Sequence, residues 1–384
     1  MRRRLLTFVM FFSVMSTLMG SAHYYLWLRF FVAPQLGDVW RSGGAILCWA
    51  LAVGTPCGML AARILKREHA KLVADVAYIW MGCAVLLLTG LAASEIVRLL
   101  ARLLATPLPE PLTSRIVASS VASAALALAL HGIASALGEV AVKRVRVTLP
   151  RLPSDMSGYR MVQLSDLHIG STLGGEWLSQ VVERVNALEP HAVVITGDLV
   201  DGSVERLRDQ VAPLAELRAE HGVFFVTGNH EYYSGADAWL KELTRLGVRP
   251  LRNERVSMGN GRASFDLAGV DDWAAFGKGH GPDLSGALAG RDPARELVLL
   301  AHQPKQIHEA AEHGVGLQLS GHTHGGQIVP WNFFVRLQQG RFVAGLTQIG
   351  ETQIYVSRGT GFWGPPMRVG APAEITLLEL FATA

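Results

Sequence analysis

Residues 161–170 read Met-Val-Gln-Leu-Ser-Asp-Leu-His-Ile-Gly, and this stretch decides the fold of the C-terminal part of the chain. A short apolar run leads directly into two polar side chains, Asp166 and His168. Short runs rich in Val, Ile, Leu and Phe suit buried strands. Open α/β sheets build their ligand sites just beyond the carboxyl ends of their strands. The stretch therefore predicts one buried strand and the beginning of a ligand site.

The same arrangement, an apolar run followed by polar residues, recurs further along the chain. The later polar groups are Gly197-Asp198, Gly228-Asn229-His230-Glu231, His302 and Gly321-His322-Thr-His324, after apolar runs at 192–196, 223–227, 297–301 and 317–320. Repetition on this scale is hard to attribute to chance. It predicts a single site to which several neighbouring strands contribute.

Other apolar runs complete the set of predicted strands, at 160–164, 265–270, 354–357 and 374–380. Amphipathic patterns typical of helices lie between several of the runs, at 176–187, 204–219, 236–246 and 305–312. Short strands that alternate with helices predict an α/β domain. The range 151–384 is long enough to bury a full core as one such domain.

The polar groups offer a characteristic set of metal-binding atoms. Four histidines, two aspartates and one asparagine supply nitrogen and oxygen ligands without a thiolate, as Asp166, His168, Asp198, Asn229, His302, His322 and His324. A mononuclear site needs three or four ligands, so this number predicts two borderline divalent ions bridged by an aspartate. Water on such ions, with its pKa lowered from 15.7 towards about 7, becomes a hydroxide that can attack phosphorus. No Gly-x-Ser-x-Gly or cysteine-based signature competes with this chemistry.

In order and spacing, these residues resemble the five blocks of the calcineurin-like metallophosphoesterase family, over roughly 159–380. The resemblance implies a four-layer α-β-β-α sandwich of two mixed sheets flanked by helices. It implies that Asp166, His168 and His324 hold one metal ion, that Asn229, His302 and His322 hold the other, and that Asp198 bridges the two. His230 would act beside the substrate phosphate, stabilising charge or protonating the leaving oxygen.

The motifs near the C-terminus narrow the resemblance to one branch of the family. His322-Thr-His-Gly-Gly-Gln327, Ser357-Arg-Gly-Thr-Gly-Phe362 and Pro366-Met-Arg368 are similar to those of bacterial membrane-associated phosphodiesterases and of transmembrane proteins with a metallophosphoesterase domain. Enzymes that cleave the pyrophosphate of UDP-diacylglucosamine are also related. Protein phosphatases of the superfamily carry Asp-Arg-Gly where this chain has Asp201-Gly-Ser203. The missing arginine argues against a phosphoprotein substrate.

Two arginines in these motifs have two interpretations each. Arg358 and Arg368 are candidates for binding the substrate phosphate, and equally for structural ion pairs. Substrate choice depends on segments such as 274–290 and 331–340, whose conformation the sequence does not define.

The N-terminal part of the chain has the composition of a membrane region. The chain is 50% hydrophobic and only 17% charged, against about 25% charged in ordinary soluble domains. Four apolar stretches, at about 5–28, 42–62, 73–95 and 116–137, each suffice to cross a bilayer as a helix. We therefore expect a transmembrane region at 1–140, a linker at 141–150 and the catalytic domain at 151–384. All three cysteines lie in the predicted spans, so the domain needs no disulfide.

The distribution of charge predicts the orientation in the membrane. The first 150 residues carry 15 Lys+Arg and 6 Asp+Glu, whereas the remainder carries 20 and 26. The N-terminal tail, the second loop and the segment after the fourth span hold 11 Lys or Arg, and the other two loops hold five. The positive-inside rule then places the N-terminus and the catalytic domain of this multi-pass inner-membrane protein in the cytoplasm. Cleavage of 1–22 as a signal peptide is an alternative that keeps this side, whereas loss of the weak third span would reverse it.

The sequence thus predicts a membrane-anchored, binuclear metal-dependent phosphoesterase that hydrolyses a phosphodiester or pyrophosphate bond with a metal-bound hydroxide. A lipid-linked substrate is one of the options. The alternative is a catalytically silent membrane receptor or scaffold that retains the fold. The metals could be Mn, Fe, Zn, Co or Ni, since all accept this ligand set. No nucleic acid partner is expected, because the basic pI of 8.8 arises from the membrane half. The oligomeric state stays open.

Overall fold

The computed structural model describes residues 2–65, 67–104, 109–260, 263–276 and 279–383, without the side chains of 2–9, 11, 12, 63, 67, 68 and 104. The chain divides into two compact units. The first comprises residues 1–134 together with 364–367, and the second comprises residues 135–363 together with 368–384.

Long apolar helices make up most of the first unit. They are α1 (Arg2–Trp27), α2 (Asp38–Ile64), α3 (Arg67–Leu104) and α4 (Leu112–Leu137), the last of which ends in the second unit. Leu26, Cys48, Leu91 and Val121 are buried together where these helices pack. A buried polar pair also links two of the helices, because Trp80 Nε1 donates a hydrogen bond to His23 Nε2 at 2.9 Å.

Three helices are long and apolar enough to cross a membrane, as far as the described residues show. They cover Asp38–Ala62, His69–Leu103 and Leu112–Leu137. The predicted spans at 42–62, 73–95 and 116–137 lie within them. The remaining predicted span, 5–28, coincides with the helical range of α1, but the side chains of 5–9, 11 and 12 lie outside the described residues. The chain is therefore a protein with transmembrane helices ahead of its α/β domain.

The second unit contains two six-stranded mixed sheets. The first sheet has the order β1-β12-β2-β3-β4-β5, with β1 (Ala141–Leu149), β2 (Tyr159–Leu164), β3 (Ala192–Ile195), β4 (Val223–Phe225), β5 (Val248–Pro250) and β12 (Glu374–Ala382). The second sheet has the order β10-β11-β9-β8-β7-β6, with β6 (Glu254–Asn260), β7 (Ala263–Gly269), β8 (Leu297–Leu300), β9 (Leu317–Ser320), β10 (Gly345–Ile349) and β11 (Thr352–Val356). All eight predicted strands are present.

Parallel pairing aligns the strand ends that matter for the site. In the first sheet β2, β3, β4 and β5 run parallel, and in the second sheet β7, β8, β9 and β11 run parallel. Antiparallel pairing joins β12 to β2, β6 to β7 and β10 to β11. The carboxyl ends of the five strands that carry the polar motifs are therefore adjacent within each sheet.

Hydrophobic clusters show how the layers stack. One cluster lies between the two sheets and joins Met161 and Val194 of the first to Leu267 and Leu319 of the second. On the outer face of the first sheet lie α5 (Gly175–Asn186), α6 (Val204–Val211) and α8 (Ala236–Arg245). On the outer face of the second lie α9 (Leu284–Ala287) and α10 (Ile307–Glu312). The result is the expected α-β-β-α sandwich. Two further helices, α7 (Asn229–Ser234) and α11 (Trp331–Gln339), lie beside the polar motifs.

The predicted linker at 141–150 proves to be a strand. Residues 141–149 form β1, which pairs in parallel with β12 from Ala141↔Glu374 to Leu149↔Ala382. Val147 and Leu149 are buried in the cluster between the sheets, while Arg144 on the exposed face pairs with Glu379. The basic residues of this segment suit an edge strand, because charge on an edge discourages pairing with other chains.

Candidate metal centre

The seven predicted ligands all lie in short turns directly after strands. Asp166 and His168 follow β2, Asp198 follows β3, Asn229 follows β4, His302 follows β8, and His322 and His324 follow β9. Because the strands of each set are neighbours with parallel pairing, their turns converge at one edge of the sandwich. Backbone hydrogen bonds lock the turns together: Asp166 N donates to Gly197 O at 3.0 Å and His168 N donates to Asp198 O at 3.1 Å.

Five of these ligand residues have a left-handed backbone conformation. Their φ angles are 52° for Asp166, 47° for His168, 52° for Asp198, 72° for His322 and 50° for His324. Each such non-glycine residue costs on the order of 1–3 kcal/mol and persists where the surroundings over-determine it. The strain is offset by the sheets on either side, and it turns each side chain sharply out of its strand direction.

Glycines allow the turns to approach closely. Gly197 has φ +85°, and a Cβ there would lie 2.6 Å from Gly228 N and 2.7 Å from His302 Nδ1. A Cβ at Gly228 would collide with the Asp198 carboxylate. The glycines in Gly-Asp and Gly-Asn-His-Glu are therefore required by the space available beside the ligands.

Asp166, His168 and His324 form the first candidate metal group, with one ligand atom of each within 4.8 Å of the others. His168 Nε2 lies 3.1 Å from His324 Nε2, and His324 Nε2 lies 3.4 Å from Asp166 Oδ1. All three residues are buried. Two imidazole nitrogens that face each other and a carboxylate at this distance are an arrangement that a shared cation would stabilise.

Asp198, His302 and His322 form the second candidate group. Asp198 Oδ2 lies 3.1 Å from His302 Nε2 in this group and 3.9 Å from His168 Nε2 in the first. The Asp198 carboxylate thus stands between the two groups. His302 Nδ1 donates to Thr196 O at 2.7 Å, which leaves Nε2 as the atom with a free lone pair for a metal.

Two buried polar atoms test whether the site suits metal ions. Asn229 Oδ1 has no hydrogen-bond partner among the residues that the structure describes, and His302 Nε2 lies 3.1 Å from the Asp198 carboxylate. Buried polar atoms without a partner are rare, and an ion is one of the few causes. Both atoms belong to predicted ligands of the second ion, so the residues present fit the metals that the family implies.

Protonation differs among the four histidine ligands. Burial, reinforced by the neighbouring His302, lowers the pKa of His322 to about 3, and burial next to His168 lowers the pKa of His324 as well. Burial also disfavours the charged form of His168, but the carboxylates of Asp201, Asp198 and Asp166 outweigh it and raise its pKa to about 9. Burial disfavours the charged form of His302 too, but the Asp198 carboxylate and its neighbours outweigh it and raise the pKa of His302. Without metal, therefore, protons lie on both His168 and His302, and incoming cations would have to displace them.

Asp201 connects the first group to His230. Its carboxylate accepts a hydrogen bond from His168 Nδ1 at 3.1 Å and another from His230 Nδ1 at 2.5 Å. Burial would raise the pKa of Asp201, but these two histidines hold it well below its usual range. His230 N also donates to Asp198 Oδ1 at 2.9 Å. Asp201 therefore fixes the ring orientation of both histidines and leaves Nε2 of each available.

Glu231 holds together two of the turns that carry the candidate ligands. This fully buried carboxylate accepts hydrogen bonds from the backbone N–H groups of Asp198 at 3.0 Å, Leu199 at 2.8 Å and Gly228 at 2.6 Å. Burial, with the Asp198 charge next, raises the pKa of Glu231 to about 7. Glu231 thus ties the Gly-Asp turn to the Gly-Asn-His-Glu turn. Sequence reasoning missed the roles of Asp201 and Glu231, although both stand inside the motifs that it singled out.

The two arginines near the site have structural partners. Arg368 is buried and donates to the carbonyl oxygens of Arg358 at 2.8 Å, Ala371 at 3.0 Å and Gly361. Arg358 Nη1 donates to the buried Glu374 at 2.9 Å. Of the two interpretations given by the sequence, these contacts support the structural one.

Comparison with known proteins agrees with this geometry. A sequence model of the family described as calcineurin-like phosphoesterase matches residues 159–326. An Aquifex aeolicus protein named uncharacterized metallophosphoesterase is 34% identical over 248 residues, which cover 62% of this chain and 91% of that one. The chain belongs to the calcineurin-like metallophosphoesterase family.

Of two further relatives, one points to the transmembrane branch by its name. A Bos taurus protein named transmembrane protein with metallophosphoesterase domain is 46% identical over 268 residues, covering 66% of this chain and 60% of that one. A Helicobacter pylori protein named uncharacterized metallophosphoesterase is 40% identical over 251 residues, covering 65% of this chain and 66% of that one. The chain therefore spans less than two thirds of the length of these relatives.

Proposed function

We propose that this chain is a membrane-anchored phosphoesterase that uses two divalent metal ions to hydrolyse a phosphodiester or pyrophosphate bond. The observation that carries the proposal is the position of Asp198 between two groups of ligand atoms, with Asn229 Oδ1 buried beside it without a hydrogen-bond partner among the described residues. In this proposal Asp166, His168 and His324 hold one ion, Asn229, His302 and His322 hold the other, and Asp198 bridges them. When bound, the ions supply Lewis-acid stabilisation of the phosphoryl oxygens and activate water as the nucleophile.

The protein's own contribution centres on His230. Its Nδ1 is held by Asp201, so Nε2 is the atom that can donate a proton to the leaving oxygen as the bond to phosphorus breaks. Asp201 accepts the hydrogen bond from Nδ1 and so fixes the orientation of the ring. Its negative charge also keeps the ring in one tautomer, in the way that an acidic residue orients a catalytic histidine elsewhere.

The charges around the site favour a diester or a pyrophosphate over a phosphate monoester. Arg358 and Arg368, the cations that could grip a doubly charged phosphoryl group, are bound to Glu374 and to backbone carbonyls. A phosphate that carries one charge has less need of such a cation. The lack of a free arginine therefore supports a diester or a substituted pyrophosphate as the substrate, because each carries a smaller charge per phosphate than a monoester.

The proposal is tested with the full chain in nanodiscs. A fragment that began at residue 150 would lack β1 (141–149), which pairs with β12 in the first sheet. Metal content is measured after loading with Mn, Fe, Zn, Co or Ni, and hydrolysis of bis-p-nitrophenyl phosphate is compared with that of p-nitrophenyl phosphate. We expect two ions per chain and metal-dependent cleavage of the diester. Asp198→Asn should lower both metal content and turnover, whereas Asp209→Asn on the exposed face of α6 should change neither.

The opposite result is also informative. A chain that holds two ions but cleaves no diester, no nucleoside pyrophosphate and no lipid-linked pyrophosphate would reject the enzyme and leave the silent scaffold.

Separately, we propose that the catalytic domain lies on the cytoplasmic side of the inner membrane, on the strength of the loop cations. Alkaline phosphatase fused after Leu137 should then be inactive, and an active fusion would place the domain on the other side.

A further inference from the structure

Helix α11, Trp331–Gln339, exposes its apolar side chains although it lies against the metal site. It begins just after the His-Thr-His-Gly-Gly turn, and a Cβ at Gly326 would collide with the backbone of Asn332. None of the side chains of α11 is buried. Trp331, Phe333, Phe334 and Leu337 are 52%, 61%, 53% and 70% exposed. Four large apolar groups on one short helix form a patch that a soluble surface rarely carries without a partner. We call these four side chains the α11 apolar face.

The helix is amphipathic in spite of its exposure. At about 100° per residue, the α11 apolar face and Val335 span an arc of about 200°. Asn332, Arg336 and Gln339 lie on the opposite side, and Gln338 is the one polar residue of the helix inside the apolar arc. A short helix with aromatic and leucine side chains on one face and an arginine on the other has the character of a helix that lies in a membrane interface.

The charge of the surrounding chain fits an anionic lipid surface. No Asp or Glu occurs between Glu312 and Glu351, and the stretch includes Arg336 and Arg341. The rest of the domain is acidic on balance. Anionic headgroups attract Lys and Arg near the surface and repel acidic segments. The acid-free stretch around α11 is therefore complementary to a bilayer surface and not to a basic protein partner.

Exposed aromatic residues continue from α11 to the rim of the site. The Gln327 side chain donates to Trp363 O at 2.8 Å and accepts from Trp363 N at 3.0 Å. Trp363 and Tyr233 are 54% and 73% exposed, and their ring centroids lie 6.1 and 5.4 Å from that of His230. Trp and Tyr are the side chains that prefer the level of lipid headgroups.

A membrane would lie close to this domain, because a candidate span immediately precedes it in the chain. The last candidate span ends at Leu137, and β1 begins at Ala141, so only three residues separate the two. Three extended residues reach on the order of 10 Å. A second copy or a protein partner is the weaker explanation, because four exposed side chains fall short of the roughly 20–30 residues per side of a standard interface.

We propose that the α11 apolar face seats in the boundary between headgroups and acyl chains of the bilayer that this chain crosses, and that it brings the rim of the metal site to the level of the lipid phosphates. The contact follows from surface chemistry and does not depend on turnover. It deepens the proposed function only by pointing to phosphate groups at a membrane surface as the substrate class.

The test measures where α11 lies, with the full chain in nanodiscs of zwitterionic and anionic phospholipid. Cys48, Cys57 and Cys83 are replaced by alanine, and a nitroxide is attached to Phe333→Cys, Leu337→Cys or, as the matched control on the polar side, Arg336→Cys. Collisions with oxygen, which concentrates in the acyl region, are compared with collisions with a water-soluble nickel chelate. We expect an oxygen-to-nickel ratio several-fold higher at 333 and 337 than at 336.

Two results would overturn the proposal. Ratios at 333 and 337 as low as that at a water-exposed position 336 would show that the α11 apolar face lies in water. Protection of 333 and 337 from both oxygen and nickel would show that protein covers it, whether the membrane helices, a second copy or another chain. Metal content of each labelled chain confirms that it is folded, and hydrolysis is not part of the readout, so failure here is distinct from failure of the phosphoesterase proposal.

Discussion

Asp201 Oδ1 accepts a hydrogen bond from His230 Nδ1 at 2.5 Å, and this contact couples the proposed acid to the candidate metal site. The same carboxylate holds His168. A residue that contacts both the candidate acid and a candidate metal ligand should influence chemistry more than binding.

Asp201→Asn should lower kcat by about 10- to 100-fold, the usual cost of losing a partner behind a metal ligand. The amide keeps the shape of the side chain but loses the charge. When its oxygen accepts from one of the two histidines, its NH2 group faces the other histidine. Steady-state kinetics on the diester, with Asp209→Asn as the exposed control, measures the effect. KM and the two-ion content should change little, and an unchanged kcat would remove Asp201 from the mechanism.

Glu231→Gln should destabilise the domain by about 2–4 kcal/mol. Glutamine cannot accept from all three backbone N–H groups that Glu231 satisfies, so at least one buried donor loses its partner. For a domain of this size the thermal midpoint should fall by about 5–15 °C. Intrinsic fluorescence during heating of the metal-loaded chain measures it. Glu176→Gln on an exposed turn of α5 is the control, and equal midpoints for the two variants would contradict the role.

Arg368→Met should also destabilise, by about 2–4 kcal/mol, and should weaken metal binding. The change removes the cost of a buried charge, but it leaves the carbonyl groups of Arg358, Gly361 and Ala371 without a donor, and we expect the second effect to be larger. Arg368 also donates to His324 O at 3.3 Å, so the turn that holds this ligand should loosen. Unfolding and metal titration are compared with Arg218→Met, an exposed change. A stable variant with weaker substrate binding would instead restore a phosphate-binding role.

Metal binding should release about two protons at pH 7. The pKa of His168 is raised to about 9 and that of His302 is also raised, because nearby carboxylates outweigh burial. Both rings are therefore protonated in the metal-free chain at pH 7, and a metal binds only the neutral ring. Apparent affinity should rise with pH, and the part due to His168 should level off above about 9. Calorimetric titrations in buffers of different ionisation enthalpy count the protons, and a binding enthalpy independent of the buffer would contradict the prediction.

Much of the fold could be predicted from local patterns. Buried parallel strands such as β2 and β3 are continuous apolar runs, and polar residues at their carboxyl ends mark the site before any contact is known. The prediction failed at β1, which it assigned to a linker at 141–150. The alternation of Val145, Val147 and Leu149 with Arg146 and Thr148 carried a period-two signal, but a strand whose only partner is β12 cannot be assigned without knowing that distant pairing.

Sequence reasoning singled out the candidate ligands but missed the residues that hold their turns in place. Ligand types can be recognised because a metal restricts them to a few side chains. The roles of Asp201 and Glu231 depend on which backbone N–H groups and ring nitrogens come within hydrogen-bond distance, and that is decided by how the turns after β3 and β4 meet. Helix α11 was left as a segment of undefined conformation for a related reason, since none of its residues is buried and burial periodicity gives no signal.

The pairing of β1 with β12 has a consequence for biosynthesis. The strand that leads out of the membrane region finds its neighbour about 230 residues later in the chain, and contacts at such separation form slowly because a long loop must close first. While the ribosome is still making the sandwich, β1 and the open side of β2 stay unpaired, next to a membrane into which the preceding helices insert. The α/β domain is thus completed only after the helices that precede it, and its exposed strand edges in that interval are where a chaperone would be needed.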